Sequence, residues 1–292
     1  MSNYVKKGID ISYCQTRIDW DKLDVDFVIM RAGYGREVSQ KDAMFESHYA
    51  NAKQRRIPCG CYWYSYAMDV EGAKKEAQAC IEVIKGKQFE YPVFYDVEES
   101  KQFALGKEKV SEIMRTFIET LEAAGYWTGL YGSYSSLMNY TSDYIRTNKA
   151  IWLAHWGVQK SPYPYQYGTW QYAVGRIDGV YGDCDLDYCY VDYPTLIKNA
   201  GLNGFQKQTA EPEPPKPQTP TYTEPTKTLK EGDSGDGVKW LQDKLKAKGF
   251  YIGDIDGKFN VITLGSVLAF QKKNNLVVDG LVGAKTRNAL KK

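Results

Sequence analysis

The stretch Tyr91-Pro92-Val93-Phe94-Tyr95-Asp96-Val97-Glu98-Glu99 is an apolar strand whose C-terminal end turns acidic. In a parallel barrel wrapped by helices, that end of a strand is the rim where reactive groups collect. Side chains alternate across a strand, so Asp96 and Glu98 point the same way, roughly 7 Å apart at Cα. Two carboxylates held that close disfavour joint ionisation, and one keeps its proton near neutral pH. A protonated acid beside an anion is the equipment of glycoside hydrolysis. One group protonates the leaving oxygen while the other stabilises an oxocarbenium-like centre. A solvated acidic loop after a strand is the alternative that this stretch alone leaves open.

On either side, strand-like apolar runs occupy 8–12, 27–32, 59–66, 92–97, 129–132, 151–155, 169–172 and 185–188. Between the early ones lie helical faces. Phe45, His48, Tyr49 and Ala52 recur at helical spacing, as do Ala73, Ala77, Cys80, Ile81 and Ile84 up to Gly86. Val110, Ile113, Met114, Phe117 and Leu121 make a third face that stops at Gly125, a natural helix-ending glycine. Strand–helix alternation predicts a parallel α/β sheet with helices outside. Beyond about residue 128 the strands crowd together with little helical pattern between them. The expectation is an eight-stranded barrel whose helices are incomplete in its second half.

Two further acids bear on the first pair. Asp10 lies between Ile9 and Ile11, where a charge is costly without a partner or a purpose. Asp185 lies on the last strand, and the first and last strands of a barrel are neighbours, which lets these two meet at one rim. Pairing of Asp10 with Arg31 on the second strand is the structural alternative. Tyr62, Tyr64 and Tyr66 share one face of the third strand, Trp152 and Trp156 one face of the sixth, and Trp170 and Tyr172 flank Gln171. Flat rings with polar tips suit pyranose rings, although any one of them can equally be core. His48 falls on an apolar helix face and reads as a packed histidine. His155 sits at a strand end.

Six of the eleven prolines fall within 209–227, where Tyr222 is the only large apolar side chain. Such a segment buries no core and runs extended as a semi-rigid spacer. The chain therefore divides into a barrel domain over 1–205, a Pro-rich linker over 206–228 and a small domain over 229–292. In the last, Val238, Leu241 and Leu245, then Val267, Leu268 and Phe270, and finally 286–290 predict three short helices. Residues 230–292 carry 12 Lys+Arg against 7 Asp+Glu, a net +5 beside −3 for residues 1–205. A mildly basic tail suits a polyanionic surface such as a cell wall and is too weak to argue nucleic acid.

No run approaches the roughly 20 apolar residues of a membrane span. The start lacks an apolar run after its lysines, so the expectation is synthesis in the cytoplasm without a signal peptide. The six cysteines sit in apolar or strand-like runs and read as reduced, buried thiols. With two histidines and no ligand spacing, neither a metal nor a cofactor is expected.

Gly8-Ile9-Asp10-Ile11-Ser12, Gly60-Cys61-Tyr62-Trp63-Tyr64, Asp96-Val97-Glu98, Ile151-Trp152-Leu153-Ala154, Trp170-Gln171-Tyr172 and Asp185-Leu186-Asp187 together, in this order, resemble glycoside hydrolase family 25. These are the muramidases of phage lysins and bacterial autolysins. The resemblance covers roughly residues 4–200. It implies a barrel of five β/α units followed by three strands, and cleavage of the β-1,4 bond after N-acetylmuramic acid in peptidoglycan. Carried across, Glu98 becomes the general acid and Asp96 orients the substrate's 2-acetamido group, with Asp10 and Asp185 shaping the site. Attack by Asp96 as a nucleophile stays open. Tyr62, Tyr64, Trp152, Trp170 and Tyr172 become the candidate substrate-binding residues. Asp187 departs from the family, which often has Asn there. The segments 229–235, 238–242, 256–259, 269–271 and 278–283 resemble the peptidoglycan-binding domain 1 family and imply attachment to a Gram-positive-type wall. Together with the expected absence of a signal peptide, the lysin resemblance points to action on the wall after release by a holin-type or other non-signal route. A chitinase-like glycosidase on the same barrel and a non-catalytic wall-binding protein are the two alternatives.

Overall fold

The computed structural model describes residues 5–206, 222–251 and 253–291. They form two compact units on either side of 207–221, and the expected linker lies for the most part outside the described residues.

In the first unit, eight strands close into a barrel in chain order. They are β1 (Lys6–Ile11), β2 (Phe27–Tyr34), β3 (Cys59–Tyr64), β4 (Val93–Asp96), β5 (Thr128–Ser133), β6 (Ala150–Ala154), β7 (Thr169–Gly175) and β8 (Cys184–Cys189). Helix α1 (Phe45–Gln54) follows β2 and α2 (Val70–Ile84) follows β3, while α3 (Ser100–Phe103) and α4 (Lys107–Ala123) follow β4. Short α5 (Tyr134–Tyr140) and α6 (Asp143–Asn148) follow β5, and α7 (Tyr193–Ala200) closes the unit. Helix α2 starts where the Asp69 carboxylate accepts from the Gly72 N–H, satisfying a free donor of its first turn. Helix α4 buries Val110, Ile113, Met114, Phe117 and Leu121, the face that its periodicity predicts.

Strands β2 to β6 bury both faces, as the helix-covered side of a barrel requires, whereas β7 and β8 are partly exposed. The outer layer packs Ile9, Val28, Cys61, Trp63, Tyr95, Leu130 and Leu153 against the helices. The barrel interior holds Phe27, Ile29, Tyr91, Phe94, Tyr131, Trp152 and Cys189. Asn203, fully buried at φ +54°, ties the start of the barrel together. Its amide donates to the Phe89 and Tyr91 carbonyls and its side-chain oxygen accepts from the Trp127 N–H.

Two features depart from the expected pattern. Residues 12–26, between β1 and β2, hold turns and the isolated bridge Ile18–Val180 rather than a helix. Strand β8 runs antiparallel to both β7 and β1, whereas the other pairs are parallel. The reason is length: 176–183 is a hairpin connection, and a parallel return needs a crossover of about a dozen residues or more.

The second unit contains α8 (Asp236–Ala247), α9 (Val261–Lys273) and α10 (Ala284–Lys291) around Val238, Leu241, Leu245, Phe259, Val267, Phe270, Val282 and Leu290. It is built twice from one device. Gln242 Nε2 donates to Asp256 Oδ1, the Lys258 carbonyl and Thr263 Oγ1, and its Oε1 accepts from the Gly257 N–H. Gln271 repeats this with Asp279, the Leu281 carbonyl, Thr286 and the Gly280 N–H. Gly257 and Gly280 sit at φ +72° and +71°, which the tight turn requires of both. No helix among the described residues is long and apolar enough to cross a membrane.

Candidate active site

Strand alternation and barrel closure bring five carboxyls to one mouth: Asp10 from β1, Asp96 from the end of β4 with Glu98 just beyond it, and Asp185 and Asp187 from β8. Asp10 and Asp185 are direct partners in the β1–β8 register. The reversal of β8 makes this possible. On parallel strands the rim lies at the C-terminal end, but on an antiparallel strand it lies at the N-terminal end. Asp185, second residue of β8, therefore stands level with Asp10, fifth of β1.

The acids differ in depth. Asp10, Asp96 and Asp187 are buried at 5%, 4% and 1% exposure, Asp185 is half-buried, and Glu98 opens to solvent at the lip. Burial raises the carboxyl pKa of all five, because it penalises the charged form. Neighbouring charge adds to this: Asp187 and Asp185 on Asp10, Glu98 on Asp96, and Asp185 and Glu99 on Glu98. Asp187 is pushed up to about 8. Arg31 offsets a little of the rise at Asp96. Its Nε donates to Asp42 at 2.7 Å, so the pairing with Asp10 weighed from the sequence is replaced by one with Asp42.

Neutral donors come from three strands. Gln171 Nε2 donates to Asp10 Oδ2 at 2.8 Å, and its Oε1 accepts from the Tyr131 hydroxyl and from Trp156 Nε1. Trp152 Nε1 donates to Asp187 Oδ1 at 2.7 Å. Asp96 Oδ1 is buried with no protein partner, and so is Asp187 Oδ2.

The aromatic candidates separate by strand face. Tyr62 lies inside, edge-on to Trp152 at 5.9 Å, and Tyr64 reaches Glu99 Oε1 through its hydroxyl. Trp152 is 1% exposed and serves as floor rather than as an open ring. Trp170 and Tyr172, expected to bind substrate, pack in the outer layer instead. Trp170 donates to the His155 carbonyl and Tyr172 stacks on Tyr188 at 4.4 Å. The residue between them, Gln171, is the one that faces the acids. Near the mouth of such a barrel the inner face is polar and the outer face apolar, so a lone polar residue between two aromatics was the available signal. Trp156, half exposed and bonded to Gln171, is the open ring beside the acids. His48 is buried and His155 contacts Ser161 and Tyr134. Of the cysteines only Cys14 is exposed, and no metal-holding cluster occurs among the described residues.

Comparison with known proteins adds to this geometry. The sequence model of glycosyl hydrolases family 25 matches residues 9–180, and that of a putative peptidoglycan binding domain matches 234–290. Lysozyme M1 of Streptomyces globisporus is 26% identical over 206 residues, 61% of this chain and 66% of its own. The spore cortex-lytic enzyme of Bacillus cereus is 47% identical over 64 residues, 22% of this chain and 25% of its own. The chain thus spans less than two thirds of the length of these relatives. The solved structure of the modular autolysin LytC from Streptococcus pneumoniae, in complex with synthetic peptidoglycan ligand, superposes with a TM-score of 0.58 at 28% identity. The match covers 65% of this chain and 48% of that one.

Proposed function

We propose that this chain, which belongs to glycosyl hydrolases family 25, hydrolyses the β-1,4 bond between N-acetylmuramic acid and N-acetylglucosamine in bacterial peptidoglycan. The observation that carries this reading is the convergence of Asp10, Asp96, Glu98 and Asp185 from β1, β4 and β8 on one mouth. Glu98, at the open lip, is the general acid. Asp96, whose buried Oδ1 lacks a donor, receives the N–H of the substrate's 2-acetamido group. The mechanism is then substrate-assisted, with the acetamido oxygen as the internal nucleophile.

The proton between Asp96 and Glu98 belongs to the pair. In the open mouth, the deeper burial of Asp96 favours holding it there. A bound sugar reverses the preference: its N–H stabilises ionised Asp96 while its ring strips water from Glu98. The proton is thereby placed on the lip carboxyl at the moment that the leaving oxygen needs it. Asp10 and Asp185 keep the mouth negative toward the developing positive charge. No cofactor enters this scheme.

The second unit, matched by the peptidoglycan binding model, holds the enzyme on a Gram-positive-type wall. It raises the local concentration of glycan strands at the mouth. The decisive experiment is mass spectrometry of digested peptidoglycan. Fragments ending in reducing muramic acid support the reading, and activity on chitin alone refutes it in favour of a chitinase-like enzyme. Wall binding without any loss of turbidity in a wall suspension points to a non-catalytic protein.

A further inference from the structure

The floor of the mouth holds more acid than the reaction uses. Asp187 lies two residues beyond Asp185 on β8, opposite Gly8 of β1, which presents no side chain to it. The Phe27 ring occupies the space a side chain at Gly8 would take, and the Asp187 carboxyl, on the same inner face as Asp10, meets the carboxyl of Asp10 within hydrogen-bonding reach. Both residues are more than nine-tenths buried.

Their hydrogen bonds fix which oxygens accept. Trp152 Nε1 has only a proton to give, so Asp187 Oδ1 is an acceptor. Gln171 takes protons from Tyr131 and Trp156 on its carbonyl oxygen, so its amide nitrogen faces Asp10 and Asp10 Oδ2 is an acceptor as well. That leaves Asp187 Oδ2 buried and without a donor among protein groups, in a carboxyl that lies beside a second one. Two bare carboxylates in that position repel at short range in a poorly solvated floor, and Arg31 is engaged with Asp42.

We propose that Asp10 and Asp187 share one proton through Asp187 Oδ2, making Asp187 a positioning residue that fixes the aim and the single charge of Asp10. The titratable and charged groups around the pair are Arg31 on β2, Tyr62 on β3, Asp96 on β4, Glu98 beyond it, Tyr131 on β5 and Asp185 on β8. Arg31, the cation among them, is engaged by Asp42, and the rest are neutral or negative, so none holds the pair doubly ionised. Burial raises both carboxyls, so the pair gives up its proton only as pH rises well above the ordinary carboxylate range. Doubly charged, it drives Asp10 away from its partner and closes the alkaline side of the activity.

The consequence for catalysis rests on the proposed muramidase reading, whereas the shared proton itself does not, and the test separates them. Infrared difference spectra of the full chain at pH 7 are recorded for wild type against Asp187→Asn and against Asp10→Asn. Each variant is expected to lose one protonated-carboxyl band, the same in both, and in wild type that band fades only on the alkaline side of the ordinary carboxylate range. A band that persists in Asp187→Asn, or that is lost there but kept in Asp10→Asn, overturns the sharing. In cleavage assays Asp187→Leu is expected to lose at least about 10-fold in kcat with little change in KM. Asp187→Asn, which keeps an acceptor for Trp152 and supplies an amide donor to Asp10, restores the rate and moves the alkaline limb to higher pH. If the spectra hold and no peptidoglycan is cleaved by wild type, the functional reading fails and the pair stands.

Discussion

Gln171 spans the site at the residue scale, with Asp10 on its nitrogen and Tyr131 and Trp156 on its oxygen. Its donation holds the Asp10 pKa below what burial alone would set. Gln171→Leu removes it, so the Asp10 pKa rises further, and ionised Asp10 appears only at higher pH. The expected outcome is an acid limb of the pH–rate profile displaced upward, with at least about a 10-fold loss on that limb. An unmoved acid limb separates Asp10 from the chemistry. Glu98→Gln removes the proton donor and is expected to cost at least about 10²-fold in kcat. Loss of turbidity that survives this change undiminished assigns the acid role elsewhere.

At the scale of elements, short connections and buried amides decide where strands and turns go. In the second unit the turns after α8 and α9 hang on Gln242, which closes five hydrogen bonds, and on Gln271, which closes four. Gln242→Leu leaves the Gly257 N–H and the Asp256 carboxylate without this partner. At about 1 kcal/mol for each of the two amide hydrogens and for the accepting oxygen, the expected loss is about 3 kcal/mol, enough to threaten a unit this small. Calorimetry of the full chain checks it, since the transition of the second unit falls while that of the barrel stays. Asn203→Ala works the other way. It strips the Phe89 and Tyr91 carbonyls and the Trp127 N–H of partners and forces alanine to φ +54°. The barrel transition falls and the other does not.

For the whole molecule, the five raised carboxyls make stability depend on pH. Each binds its proton more tightly folded than unfolded. Their stabilisation is therefore complete below the ordinary carboxylate range and is lost as pH rises from about 4, through the folded value of about 8 for Asp187. The barrel is expected to melt at a higher temperature at pH 5 than at pH 8, and Asp187→Asn to narrow the gap. The opposite order refutes the buried, protonated floor. Removing 206–292 is expected to spare cleavage of short soluble fragments and to weaken action on whole walls. Equal loss on both refutes the anchoring role.

Sequence by itself determined the parts whose signals are short-ranged. Apolar runs and helical periodicity placed all eight strands and the main helices, the prolines marked the boundary, and the acids at strand ends marked Asp10, Asp96, Glu98 and Asp185 as candidates. Helices α5 and α6 were not legible, because seven and six residues are too few for a periodic face to declare itself. Tertiary structure decided what depends on closure. The inward turn of Gln171, the outward turn of Trp170 and Tyr172, and the meeting of Asp187 with Asp10 all follow from which face of β7 and β8 points into the barrel. That choice is fixed by hydrogen-bonded register between segments far apart in the chain, such as Asp10 of β1 against Asp185 of β8. A strand's alternation names two faces, and only its neighbours across the barrel say which one is inside.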